Sequence, residues 1–108
     1  MRYNSGIGNQ YKTAYHDSVT NFLRALPPKD RSKVEKNIRV MQAGDLSSPR
    51  TKTLRGPVKE LIVKEYRILF FIHEYTIYFV RAFRKKSAKT PKQEIEYAER
   101  IYKLTTTI

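Results

Sequence analysis

Hydrophobic positions change period twice along this chain, and the two changes divide it into three parts. From Asp17 onward Val19, Phe22, Leu23 and Leu26 recur at i, i+3, i+4 and i+7, the signature of one apolar stripe on a helix, with Asp17 or Ser18 placed to cap its start. Pro27-Pro28 ends that helix, and Pro28 suits the first turn of a second one, where its missing N–H costs nothing. Val34, Ile38 and Met41 continue at helical spacing until Gly44 supplies a stop, so an αα-hairpin is predicted. Its outer faces carry Lys29, Arg31, Lys33, Lys36 and Arg39, a pattern expected of solvated helix surface more than of direct nucleic-acid contact.

The period then drops to two. Residues 45–57 hold Gly, Ser, Pro and Thr and are predicted as a loop, with Lys52, Leu54 and Arg55 embedded in it. Val58–Val63, Tyr66–Ile72 and Thr76–Phe83 read as three strands of an antiparallel meander, joined by short turns at Lys64-Glu65 and Glu74-Tyr75. In the middle strand Tyr66, Ile68, Phe70 and Ile72 share one face, which should meet the helical hairpin, and Arg67, Leu69, Phe71 and His73 share the other. Strict alternation puts Ile77, Phe79, Arg81 and Phe83 on one face of the last strand and Tyr78, Val80, Ala82 and Arg84 on the opposite one. That strand runs into a cluster of cations: Arg84, Lys85, Lys86 and Lys89, with Lys92 just beyond.

The helical period returns after Thr90-Pro91-Lys92-Gln93, which has the form of a capping box with proline at the first helical position. Ile95, Ala98 and Tyr102 form the stripe, Glu96–Arg100 and Glu99–Lys103 are candidate i,i+4 pairs, and the helix is expected to end near Leu104. Residues 1–14 mix Gly, Asn and Ser with tyrosines and read as a flexible lead or an edge strand around Tyr11–Tyr15. The expectation is one α+β domain over residues 1–108: an N-terminal helical hairpin packed on a small antiparallel sheet of three to four strands, with a C-terminal helix.

Charge sharpens this picture. Twenty-two Lys and Arg against ten Asp and Glu give a formal net charge of +12, which calls for a polyanionic or acidic partner. The chain has no cysteine, so disulfides and thiolate metal sites are excluded. His16 and His73 stand far apart without clustered carboxylates, so no metal and no cofactor is expected. The longest apolar run, Ile68–Ile72, falls far short of the ~18 residues of a spanning helix, and a cytoplasmic protein without membrane association is expected.

Lys52-x-Leu54-x-Gly56, Glu60-Leu61, Tyr66-Arg67-Ile68 and the run Ala82-Phe83-Arg84-Lys85-Lys86-Ser87-x-Lys89-Thr90-Pro91-x-x-Glu94-Ile95-x-x-Ala98 together resemble the RelE/HigB-type toxins of type II toxin–antitoxin modules, in particular their phage-derived branch. The resemblance covers roughly Val19 to Tyr102 and implies a RelE-like fold. It implies a ribosome-dependent mRNA endonuclease that works without a metal, and a cognate antitoxin, typically of the helix-turn-helix type, through which any oligomer would form. Ribosome and mRNA are the other partners implied.

Carried over by position, Lys85 and Lys86 fall where such toxins hold transition-state cations, and Lys52 and Arg55 where they hold substrate-binding or base-like cations. Arg67 completes the candidate catalytic set. Arg55, Arg81, Arg84, Lys89, Lys92 and Tyr97 are the candidate RNA-binding residues, the tyrosine by stacking on a base. The family usually places an arginine directly after the Glu-Leu step, and here Ile62 stands there. Relatives of the ParE kind share the fold, lack the catalytic set and inhibit gyrase, so a non-nucleolytic gyrase inhibitor and a catalytically decayed RNA- or partner-binding module are the alternatives.

Overall fold

The computed structural model describes residues 10–107. The elements, in order, are β1 (Lys12–Tyr15), α1 (Asp17–Arg24), α2 (Pro28–Gln42), β2 (Thr51–Arg55), β3 (Val58–Val63), β4 (Tyr66–His73), β5 (Thr76–Arg84) and α3 (Lys92–Thr106). One sheet of five strands, ordered β1-β5-β4-β3-β2, separates the α1–α2 hairpin from α3. The α+β architecture is the expected one, but the sheet is larger and mixed. The segment expected as a basic loop is strand β2, antiparallel to β3, and β1 adds to the far edge in parallel with β5. Of the expected flexible lead, residues 1–9 lie outside the described residues.

Side-chain alternation sorts the core into two layers. Leu61, Val63, Tyr66, Ile68, Phe70, Ile77 and Phe79 pack against Val19 and Leu23 of α1, Leu26 in the link that follows it, and Val34, Ile38 and Met41 of α2. On the other face Val58, Leu69, Phe71 and Val80 pack against Ala98, with Ile101 and Tyr102 of α3 closing over them. Full burial of each large apolar side chain contributes about 1.5–3 kcal/mol, so both layers hold the sheet. Phe71 carries much of the second layer, stacked on Tyr78 at 5.1 Å and edge-on to Tyr102 at 5.0 Å.

Two bulges correct the strict alternation. Leu69 opposes Arg81 while Phe70 opposes Phe79, so Val80 is an extra residue in β5. Beyond it the phase inverts: Ala82 packs with the hairpin-side core and Phe83 with the α3-side core, the reverse of the expected assignment. Leu54 is the corresponding extra residue in β2, where Thr53 opposes Lys59 and Arg55 opposes Val58.

The turns and caps use local chemistry that differs in part from expectation. Gly56, at φ +53°, opens the β2–β3 turn, where a side chain would be strained. Glu74 and Tyr75 both take positive φ, the pattern of a type I′ hairpin, and Lys64 takes φ +55° in the β3–β4 turn. The α1 cap is His16, whose Nδ1 accepts from the Ser18 N–H, rather than Asp17 or Ser18. Thr90 makes no capping box: α3 begins at Lys92 behind Pro91, with no side-chain cap, and runs on to Thr106 rather than ending near Leu104.

Candidate nucleic-acid interface

The α3 side of the sheet is only partly covered by α3. Strand register lays one row of side chains across it, Lys52 on β2, Glu60 on β3, Leu69 on β4 and Arg81 on β5. The adjoining row is Ile62, Arg67 and Phe83. Four of these positions, Lys52, Glu60, Arg67 and Arg81, are charged, and Glu60 and Arg67 are buried, at 3% and 8% exposure. Charged side chains persist at such burial only where their polar atoms are engaged.

Each engagement has a direction. Arg67 Nη1 donates to the backbone carbonyls of Lys64 and Tyr66, both at 2.9 Å, so its guanidinium braces the β3–β4 turn. Arg81 Nε donates to Glu94 Oε1 at 2.6 Å, and the same guanidinium lies 5.0 Å from the ring centre of Tyr97. Glu60 accepts a hydrogen bond from the Thr90 hydroxyl. Glu94 and Thr90 therefore tie the start of α3 and the residues before it to two strands, one on either side of β4.

The basic segment fills the space between these ties. Backbone pairing carries past the end of β5, because the Lys85 N–H donates to the Glu65 carbonyl at 2.7 Å. Continued alternation from Phe83 sends half-buried Lys85 to the α3 side. Lys86 is exposed and lines a groove of about 430 Å³ together with Phe22, Phe83, Arg84, Ser87 and Pro91. That groove borders the part of β5 beyond Phe79 that β1, whose pairing stops at Tyr15, does not cover. Lys89 is exposed on the same segment, which Ser87 stiffens by donating from Oγ to the Lys89 carbonyl at 2.8 Å.

The remaining candidates separate into held and unheld cations. Arg84 reaches back to the hairpin side, where Nη2 lies 3.3 Å from the Tyr66 hydroxyl. Arg55 makes a bidentate pair with Glu99 at 2.9 and 2.7 Å, which raises the arginine's pKa, lowers the glutamate's and anchors α3 to β2. This pair replaces the expected Glu99–Lys103 contact within the helix. Lys92 lies 3.9 Å from Glu96, one turn along. Lys52, exposed on β2, makes no salt bridge among the described residues.

Tyr97 stands apart from the Lys85–Lys86 segment. Its ring is flanked by Arg81 and by Arg100, the latter 5.7 Å from the ring centre, and its hydroxyl lies 3.0 Å from Nε2 of His16. Since Nδ1 of His16 already accepts the Ser18 N–H, a neutral ring carries its proton on Nε2 and donates to the tyrosine oxygen. The structure thus brings Lys52, Arg67, Arg81 and Lys85 to one side of the sheet, with Lys86 and Arg84 at the uncovered edge of β5 and Tyr97 on the flanking helix. Sequence reasoning missed Glu60 as a member. The available signal was an acidic residue at a strand position whose neighbours are buried.

Among the described residues no group of three or more His, Cys, Asp or Glu side chains is placed to hold a metal, and no helix is long and apolar enough to cross a membrane. The chemistry on offer is that of fixed cations, amide groups and hydroxyls, suited to phosphodiester oxygens.

An α-helical hairpin and a C-terminal helix on opposite faces of this sheet make the fold RelE-like. The archaeal RelE of Pyrococcus horikoshii OT3, solved with RelB, superposes with a TM-score of 0.63 at 15% identity, covering 73% of this chain and 99% of that one. The isolated RelE toxin of E. coli gives 0.55 at 14% identity over 84% of this chain and 98% of its own. The toxin–antitoxin complex RelBE2 of Mycobacterium tuberculosis gives 0.53 at 23% identity, covering 70% and 99%. Residues 21–103 match the family described as phage derived protein Gp49-like (DUF891), and the chain belongs to that family. No curated protein matches it significantly in sequence.

Proposed function

We propose that this protein is the toxin of a type II toxin–antitoxin pair and acts as a metal-independent, ribosome-dependent mRNA endonuclease. The observation that carries the reading is the Lys85–Lys86 segment, moored across the open end of the α3 face of a RelE-like sheet, with Lys52, which makes no salt bridge among the described residues, on the same side. Cleavage by this route has the ribose 2′-oxygen attack the adjacent phosphorus while the bond to the 5′-oxygen breaks. The products are a 2′,3′-cyclic phosphate and a free 5′-hydroxyl. Lys85 and Lys86 are assigned the charge that builds on the phosphoryl oxygens, Lys52 the binding of the incoming strand or the removal of the 2′-proton, and the leaving 5′-oxygen takes its proton from water. Arg55 and Arg67, engaged by Glu99 and by backbone carbonyls, serve as braces that keep these cations in place.

An antitoxin is the proposed partner, in keeping with the solved neighbours that are toxin–antitoxin complexes. A +12 surface suits both an RNA-rich ribosomal site and an acidic antitoxin. The second reading, an RNA-binding module that no longer cuts, is favoured by one observation: Ile62 occupies the expected arginine position and Arg67, its cross-strand neighbour, is buried.

Mapping mRNA 5′ ends after brief induction in a bacterial host separates the readings. New ends inside codons of translated messages, absent when translation is blocked beforehand, are expected of the endonuclease. Growth arrest with intact messages and trapped DNA breaks indicates gyrase inhibition, and harmless expression indicates the binding module.

A further inference from the structure

Among the described residues Glu60 is the most deeply buried charged side chain, and nothing in the cleavage scheme uses it. It sits in the row between Lys52 and Leu69, on the α3 side of the sheet's central strands. Among the described residues no cation lies within salt-bridge distance of it, and the side chain that bonds it is Thr90, thirty residues away. Thr90 is the last residue of the Lys85–Thr90 segment before Pro91 and α3. The other end of that segment is fixed by the Lys85 N–H on Glu65. Six residues carrying three lysines are therefore held between two hydrogen bonds, one to the β3–β4 turn and one to the middle of β3. Mutual repulsion among Lys85, Lys86 and Lys89 works to push the segment outward, and Pro91 denies it a backbone N–H with which to dock on α3.

We infer that Glu60 is a positioning residue for RNA cleavage, holding the Lys85–Lys86 segment over the open end of the α3 face through the hydroxyl of Thr90. The inference rests on the endonuclease reading for its effect on rate, but not for its effect on the segment itself. A misplacement of about 1 Å costs on the order of 100-fold in rate when charge must be met in one geometry. Loss of the latch should therefore fall on kcat, since the same lysines still attract RNA from a looser segment and KM moves little.

The variants are Thr90→Val, which keeps shape and removes the donor; Thr90→Ser, which restores it; Glu60→Gln, which keeps an acceptor oxygen; and Glu60→Leu, which removes it. Cleavage of translated message in a purified translation system, and amide hydrogen exchange at residues 85–90, are measured on each. The expected result is a drop in kcat of about 10- to 100-fold for Thr90→Val and Glu60→Leu with KM within about threefold, recovered by Thr90→Ser and largely kept by Glu60→Gln. Exchange in the segment rises about tenfold in the same two variants while β3 and β4 stay protected. Wild-type rates in Thr90→Val overturn the inference. So does a Glu60→Gln enzyme that is dead while Thr90→Val is active, because the carboxyl group would then act in the reaction itself. If the wild type cuts nothing, the endonuclease reading falls, and exchange alone decides the latch: unchanged exchange in Thr90→Val and Glu60→Leu overturns it.

Discussion

The hydroxyl of Tyr66, at the start of β4, donates a 2.6 Å hydrogen bond to Oδ2 of Asp30 in the first turn of α2. The other carboxyl oxygen, Oδ1, accepts from Lys64 Nζ at 2.7 Å. One carboxylate thus ties the helical hairpin to the β3–β4 turn, and it holds Lys64 at a positive φ that a lysine seldom adopts. Arg84 reaches the same tyrosine from β5, so the base of the basic segment and the hairpin share this anchor.

Acid should loosen the anchor in a definite direction. The bonds from Lys64 and Tyr66 hold the Asp30 carboxyl below its usual value of 3.8, and the Ser48 and Ser47 donors hold Asp45 down at about 2. Both groups bind a proton more readily unfolded than folded. Their contribution is complete above the ordinary carboxylate value and is lost as pH falls through the lowered ones. Melting temperature should accordingly be level near pH 6 and fall between pH 3.8 and about 2, with Asp45→Asn giving a shallower fall over that window. A melting curve for Asp45→Asn parallel to wild type throughout would show that the serine cluster is not the source.

Lys85→Ala with Lys86→Ala should remove cleavage without unfolding the chain. A lost donor to a developing oxyanion costs about 100- to 1,000-fold in kcat, whereas surface substitutions such as those at exposed Lys86 and half-buried Lys85 usually change stability by less than about 0.5 kcal/mol each. Turnover by the double variant within tenfold of wild type would take these lysines out of the chemistry.

Lys52 and Arg55 are three positions apart on β2 but should behave differently toward RNA. Lys52 makes no salt bridge among the described residues, while Arg55 is clamped to Glu99. Each phosphate neutralised on a single strand contributes about 0.7 to the slope of log K against log salt. Lys52→Ala should lower that slope by about this amount, and Arg55→Ala should leave it nearly unchanged while lowering the melting temperature as α3 loses its tie to β2. Equal slope changes for the two would mean that RNA displaces Glu99 from Arg55.

Helices, meander and the basic segment were legible because α1 and α2 keep a helical apolar period, while β3–β5 are short runs rich in β-branched and aromatic residues separated by two-residue turns. β2 was not, since Lys52 and Thr53 are exposed and its residues carry no apolar alternation. The phase of β5 beyond Val80 was hidden for a different reason. A bulge changes which residues face the core without changing composition, and only the opposing strand reveals it. For the site, the cations were visible as residue types, but their pairing was not. Arg55 with Glu99, Arg81 with Glu94 and Thr90 with Glu60 join residues 44, 13 and 30 positions apart, beyond the reach of local spacing.

Phe71 should be the most costly residue to lose on the α3 side. It is fully buried between Tyr78 and Tyr102, and its removal opens a cavity that the surrounding strands cannot close. Phe71→Ala is expected to lower the unfolding free energy by about 3–5 kcal/mol in urea titration. A loss below about 1 kcal/mol would mean that α3 packs on the sheet without it.

Ile62→Arg tests whether the interface faces its substrate as proposed. Ile62 is half-buried on β3, one step along the same face from Glu60 and directly across from Arg67. An arginine there can reach outward past the covered part of the sheet, because its neighbour Arg67 is turned back onto the carbonyls of Lys64 and Tyr66. Placing two like charges opposite one another on adjacent strands costs up to about 1 kcal/mol, so a small drop in melting temperature is expected. Against it stands a new cation beside the Lys85–Lys86 segment, and cleavage should rise about 10- to 100-fold. The rise should vanish when Lys85→Ala and Lys86→Ala are added, since a guanidinium alone cannot assemble the site. A folded Ile62→Arg protein that cuts no faster than wild type would place the message elsewhere on the sheet.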